Sequence, residues 1–305
     1  MRIVMRNKNF ISRSVLENIT GYSFLLPALL IVFFVMFYPV FFTVKLSFMD
    51  YALQFNKKEF TGLANYTALF HDTQFLSSIG RTCVFTISSV ILELVFGLGI
   101  ALLANARLRG NGLLRTVMLI PWAIPTVISA VLWKFMLNDQ FGILNFIFSR
   151  LGFISEYKAW LAFPKSAVGS TILIDAWKTT PFVFILLLAG LQVIPKEEYE
   201  AASIDGASAF QKFLYVTMPE IAKVVFITLL FRTMDAFRVF DMVVNLTNGG
   251  PGNATEYVTL EAYKTIFRNL KIGYGSAMSV VIFIIIMLFS TMYLLLLMRD
   301  KKQKN

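Results

Sequence analysis

The chain has 305 residues, of which 57% are hydrophobic and 15% charged, and its mean hydropathy is +0.69. These values exclude an ordinary soluble domain and make the lipid bilayer the solvent against which the chain is to be read. Its formal charge of +10 comes from Lys and Arg in short runs beside apolar segments, which argues against a nucleic-acid partner and for anionic membrane lipid. Cys83 and His71 are the sole residues of their kinds, so no intrachain disulfide is available, no His-rich metal site can form, and neither a metal nor a cofactor is expected.

In chain order, a basic tail with Arg2, Arg6, Lys8 and Arg13 precedes an uncharged run over residues 21–44. That run is too long for a signal-peptide core and lacks a cleavage site after it, so it reads as a retained first span. Residues 45–80 form a polar connection interleaved with Phe55, Phe60, Tyr66, Phe70 and Phe75. A second span covers residues 81–104 and holds Glu93, and a turn with Arg107, Arg109 and Arg115 follows. The third, residues 113–137, contains Pro121 and Pro125 and is expected to kink or break near one end, where missing donors relieve the ladder. Lys134 can snorkel near its far end.

Residues 138–165 are polar and aromatic, broken by Gly142, Gly152 and Pro164. A fourth span, residues 166–193, carries Asp175 and Lys178. A fifth, residues 221–246, carries Arg232, Asp235, Arg238 and Asp241, alternating in sign at every third position. Opposite charges one turn apart make a self-neutralising ladder, but each step falls about 60° short of a full turn, so the ladder winds and not every member can face one groove. A charge inside a span costs roughly 2.5 to 3.5 kcal/mol, so these groups need partners or a cavity. With the aromatic rings of Trp177 and Phe237 close by in sequence, Asp235, Arg238 and Asp241 are candidates to line a passage for a polar solute, since sugars offer hydroxyls to charged groups and CH-rich faces to rings. A turn-rich loop over residues 247–253 leads to a last, uncharged span over residues 272–298, and Arg299, Lys301, Lys302 and Lys304 close the chain. Threading six helical spans alternately puts the basic tail, the 107–115 turn and the C-terminus on one side, which the positive-inside rule makes cytoplasmic.

Between the fourth and fifth spans lies PKEEYEAASIDGASAFQKFLYVTMP, residues 195–219. Pro195 suits a first helical position, Glu197, Glu198 and Glu200 complement the positive end of a helix dipole, and Gly206 can take the positive φ that ends a helix. A second amphipathic helix is expected after it, carrying Phe210, Phe213, Leu214 and Thr217 on one stripe and stopped by Pro219.

The order Glu200-Ala201-Ala202, Asp205-Gly206-Ala207, then Val216 ahead of Met218-Pro219, closely resembles the EAA loop of ABC importer permeases, which usually have Ile and Leu where this chain has Val216 and Met218. The resemblance implies that the first short helix, with Glu200, Ala201, Ala202, Asp205 and Gly206, is a coupling helix seated in a cleft of a separate ATPase subunit. The Gly62 to Tyr66 piece, the PWAIPT run from Pro121, the run from Trp177 to Phe182, and the stretch from Phe240 to Pro251 look like the carbohydrate, maltose- and trehalose-type branch of that family, so the likeness extends over residues 62–298. What it implies is an all-α membrane protein with six transmembrane helices, a type I ABC importer permease core and cytoplasmic N- and C-termini, in a bacterial or archaeal cytoplasmic membrane. Its domains would be residues 1–76 for tail, first helix and outer loop, 77–298 for the permease domain with the loop at 195–219, and 299–305 for a closing tail. Implied partners are ATP-binding subunits, a second, unlike permease and an extracytoplasmic sugar-binding protein, with solute moved by alternating access. The chain has no phosphate-binding loop of the G-x-x-x-x-G-K-[ST] kind, so ATP hydrolysis falls to the partner. A secondary transporter of a polar solute is the alternative, though it should carry an inverted repeat, and none is convincing. An enzyme would have to work through Glu93, Asp175 or Asp235, with no metal or nucleophile site beside them.

Overall fold

The computed structural model describes residues 13–55, 57–106 and 110–303. The basic tail before Arg13, and Arg107 and Arg109 of the expected basic turn, lie outside the described residues. Helix α1 (Arg13–Val32) passes through a wide π turn at Phe33–Phe37 into α2 (Tyr38–Ser47). The connection read as a polar loop contains an antiparallel hairpin, β1 (Met49–Ala52) with β2 (Lys57–Phe60), followed by α3 (Ala64–His71). Helix α4 (Thr73–Asn105) starts from Asp72, whose Oδ1 accepts the amides of Gln74 at 2.9 Å and Phe75 at 3.2 Å. The same carboxylate accepts the Tyr274 hydroxyl at 2.8 Å, which ties this helix start to the last span.

The third span is two helices, α5 (Asn111–Ala123) and α6 (Thr126–Met136), bent by 94°. Pro125 lacks an amide and pushes Ile124 into an extended conformation (φ −71°, ψ 129°), so the break falls between the two halves rather than near one end. Helix α7 (Ile143–Arg150) precedes α8 (Pro164–Val193). The link between them is held by Asn145, fully buried, which donates to the carbonyls of Asn138 and Lys158 and accepts from the Lys158 amide and the Trp160 indole at 2.8 to 3.1 Å. The inserted loop gives α9 (Lys196–Ile204) and α10 (Ala209–Lys212). A π turn, Phe213–Thr217, then runs into α11 (Met218–Phe237) without a break.

Pro195 caps α9 rather than beginning it. Pro219 does not stop the second helix, because the wide turn before it absorbs the lost amide and the ring, and the Met218 amide bonds Phe213 instead.

The fifth span also ends sooner than its hydropathy indicates. The amides of Arg238 and Val239 reach back only three residues, to Asp235 and Ala236, and the tightened turn closes α11 before a separate short helix, α12 (Asp241–Leu246). Helix α13 (Val258–Tyr263), a π turn at Lys264–Arg268 and α14 (Ile272–Gln303) complete the chain. Among the described residues five helices are long and apolar enough to cross a membrane, and the bent α5–α6 pair makes a sixth span if it crosses as one unit.

The core sits where α4, α8 and α11 meet. Gly97 permits α4 and α8 to approach closely, since a Cβ there would lie 2.7 Å from Val183 Cγ1. Phe184, Leu187 and Ile221 are buried beside it. A second cluster joins Phe237 to Ala277, Met278 and Ile282 of α14.

Candidate functional site

A cavity of about 470 Å³ opens where α8, α11 and α12 converge near the break of the third span. Six charged side chains line it, Asp175, Asp235 and Asp241 against Lys178, Arg232 and Arg238. The signs balance, and they come from three separate helices rather than from one ladder. Lys178 is placed by the proline break, since its Nζ donates to the Ile124 carbonyl at 2.7 Å, an acceptor that the missing Pro125-region helical turn leaves free. Arg238 stands at the end of α11, where its guanidinium donates to the Met234 carbonyl at 3.2 Å and to Asp235 Oδ1 at 2.7 Å. Asp235 and Arg238 keep about half of their side-chain surface open, 52% and 55%. Asp241 begins α12, and among the described residues no ion pair involves it.

Behind this wall lies a buried, two-pronged charge contact. Arg232 reaches across to Glu93 of α4, with Nε 2.5 Å from Oε2 and Nη2 2.8 Å from Oε1, and Thr179 donates to that same Oε1 at 2.7 Å. The ladder read along the fifth span is therefore secondary, since Arg232 lies only within 3.9 Å of Asp235 and its principal partner is on another helix.

The residues proposed from sequence for the pathway divide. Asp235, Arg238 and Asp241 meet in the cavity. Trp177, 38% exposed, packs edge-on against Trp133 with ring centroids 5.3 Å apart, turned about 100° around α8 from Lys178. Phe237 faces the other way, 1% exposed and 5.7 Å from the Phe289 ring, beside an apolar pocket of about 230 Å³ between α4, α11 and α14. The aromatic ring that does line the cavity is Phe240, with Tyr263 behind it at 4.9 Å. Lys178, Arg232 and Thr179 belong to the same wall, and for the two cations the cost of a charge in an apolar span was the signal that could have placed them there.

The loop at the other end of α11 is built from its own hydrogen bonds. Gly206 takes φ +77°, the Ala207 amide bonds the Ala202 carbonyl at 2.9 Å, and the Gly206 amide bonds Ser203 at 3.1 Å, the paired closure of a Schellman turn. Ser208 then caps α10 reciprocally with Gln211. Tyr199 meets Thr217 at 2.9 Å and Lys212 Nζ donates to Ser203 at 2.7 Å, which fastens α9 onto the base of α11. Glu200, Ala201, Asp205 and Gly206 are exposed and Ala202 is half-buried. Large apolar side chains stand uncovered around them, with Ile204 87%, Val193 81% and Phe210 71% exposed.

A multi-pass helical bundle with a charge-lined interior and a projecting loop between two spans defines a membrane transport subunit. Residues 93–301 match the family of binding-protein-dependent transport system inner membrane components, and the chain belongs to that family. It is similar to the trehalose/maltose transport system permease protein of Thermococcus litoralis, 44% identical over 90% of this chain and 92% of that one. It is also similar to the trehalose transport system permease protein of Mycobacterium tuberculosis, 35% identical over 88% and 85%. The fold matches a crystal structure of a bacterial ABC transporter importing alginate, with a TM-score of 0.83 at 20% identity over 94% of this chain and 98% of that one. The chain is thus a permease subunit of an ABC importer in the inner membrane, and ATP hydrolysis belongs to its partner.

Proposed function

We propose that this subunit forms half of the path by which an ABC importer carries a carbohydrate, and that it is driven through its exposed loop. In this reading α9 seats in a cleft of the ATP-binding subunit, with Glu200, Ala201, Ala202, Asp205 and Gly206 shaping the contact, and both termini lie on the cytoplasmic side. A second, unlike permease supplies the other half of the path, an extracytoplasmic sugar-binding protein delivers the solute, and lipid surrounds the rest. Residues 77–298 act as the transport domain, with the coupling loop at 195–219, while 1–76 and 299–305 add the first span and the tails.

The observation that carries the proposal is continuity. From Ala209 to Phe237 the chain is one 29-residue helix, about 43 Å long, with the loop at its foot and Asp235 and Arg238 at its head. Movement imposed on α9 therefore passes through the Tyr199–Thr217 and Lys212–Ser203 bonds into that helix and reaches the cavity along it, as alternating access requires. The cavity's balanced charges suit a neutral polyhydroxylated solute better than an ion, with Asp241 and Arg238 as acceptor and donor for hydroxyls and Phe240 as a face for ring CH groups. The names of relatives that carry trehalose, maltose and sulfoquinovosyl glycerol support a saccharide.

Arg238→Ala and Asp241→Ala test the path. Both should lower uptake in an assembled transporter, and normal uptake by both would dismiss it. A cysteine placed at Ala201 should crosslink to the ATP-binding subunit, and reproducible absence of the crosslink in an active complex would dismiss the docking.

A further inference from the structure

Glu93 lies within α4 with no exposed surface, 139 residues from Arg232 in sequence. An unpaired carboxylate at such a depth is strongly disfavoured, so it requires hydrogen-bonding partners. Three helices take part, α4 supplying the carboxylate, α11 the guanidinium and α8 the Thr179 hydroxyl.

The guanidinium has a second set of neighbours. Its Nη2 is 3.4 Å from Asp175 Oδ2 and its Nη1 is 3.9 Å from Asp235 Oδ2, and both of these carboxylates line the cavity. Arg232 therefore stands between a close, two-pronged anchorage behind the wall and a looser one on the solute side. The bidentate contact dominates because its hydrogen bonds are shorter and charge-assisted. While it lasts, Asp235 keeps its 2.7 Å bond to Arg238, and Asp175 receives only the long, 3.4 Å hydrogen bond from Nη2.

We infer that Glu93 is a positioning residue for transport: it parks Arg232 in the wall, leaving Asp175 and Asp235 to serve the cavity, and does not itself touch the solute. This rests on the cavity being the solute path. Without the Glu93 charge, Arg232 closes onto Asp175 and Asp235, and the cavity is spanned by its own ion pairs.

Glu93→Gln keeps the shape and an acceptor for Thr179 but removes the charge. The complete transporter, reconstituted with its ATP-binding subunits, second permease and loaded binding protein, is assayed with whichever of trehalose and maltose the unaltered complex takes up. The expected result is a maximal rate lower by about tenfold, with KM for the loaded binding protein unchanged, as a role confined to the wall of the path requires. The double variant Glu93→Gln with Arg232→Gln removes the stray guanidinium as well and should recover most of the rate. A purely structural salt bridge would also be relieved in the double variant, because neither charge is then left unpaired, but its loss would show as lowered thermal stability of the complex. Parking requires an assembled Glu93→Gln complex of near-normal melting temperature with a lowered maximal rate. A rate that falls only in step with stability overturns the inference, as does a normal rate for Glu93→Gln or a double variant no better than the single one. Should the single variant fail to assemble, the pair is needed for the structure itself and the inference is overturned, whatever the double variant does. Asp241→Ala run alongside separates the two readings, since its impairment beside a normal Glu93→Gln removes only the parking role, whereas normal rates for Asp241→Ala and Arg238→Ala remove the path itself.

Discussion

Replacing Gly206 by alanine or by leucine should damage coupling to nearly the same degree. At φ +77° an L-residue is strained, while a Cβ built at this position meets nothing within 4 Å, so added bulk costs the chain itself nothing. Both substitutions then carry the backbone term alone, roughly 1 to 2 kcal/mol. That corresponds to about a 5- to 30-fold loss in the ratio of closed to open turns. The closed turn is what holds the bonds of Ala207 to Ala202 and of Gly206 to Ser203. Gly206→Asn, which tolerates the left-handed region better, should fall between glycine and alanine. The assay is ATP hydrolysis by the assembled transporter with and without loaded binding protein, where the ratio of the two rates should drop in the order Gly, Asn, Ala, with Leu beside Ala. A leucine variant far worse than alanine would show that side-chain volume decides, and an unchanged ratio in both would show that the turn is not needed; either result refutes the backbone account.

Three further outcomes follow from named contacts. Gly97→Ala should lower thermal stability in detergent by about 1 to 3 kcal/mol, because the new Cβ lies 2.7 Å from Val183 Cγ1; Val183→Ala in the same chain should return part of it. Tyr199→Phe removes one hydrogen bond, to Thr217 at 2.9 Å, worth about 0.5 to 1.5 kcal/mol; stimulation of ATP hydrolysis should weaken while binding of the ATPase persists, and full stimulation would show that the joint is not used. Asn145→Leu leaves two carbonyls, an amide and the Trp160 indole without their partner, a loss of about 3 kcal/mol or more, seen as altered tryptophan fluorescence and faster proteolysis between residues 151 and 163.

Hydropathy located every span because exclusion from water acts on each apolar run separately, and the proline positions announced the broken third span. Gly206 was legible for the same reason, since only local backbone geometry was at stake. What escaped the sequence depends on neighbours distant along the chain. Pro219 looked like a stop until the Phe213–Thr217 turn made room for it, and the end of α11 at Phe237 has neither Pro nor Gly to mark it. The charges of Arg232, Asp235 and Arg238 suggested a ladder along one helix, yet Glu93, far away in sequence, took the strongest share. Phe237 was grouped with them by proximity in sequence, whereas a rotation of two residues from Asp235 turns it to the opposite side of α11. The 49–60 hairpin left no alternating apolar pattern, its strands being only four residues each.

The projecting loop owes none of its internal bonds to another molecule: the Schellman closure, the Ser208–Gln211 box and the Tyr199 and Lys212 fastenings all lie within the chain. Its shape is consequently ready before any socket arrives, and joining one forfeits little conformational freedom. On the proposed docking, such a ready-made plug would let the membrane and soluble parts be manufactured apart and meet in either order.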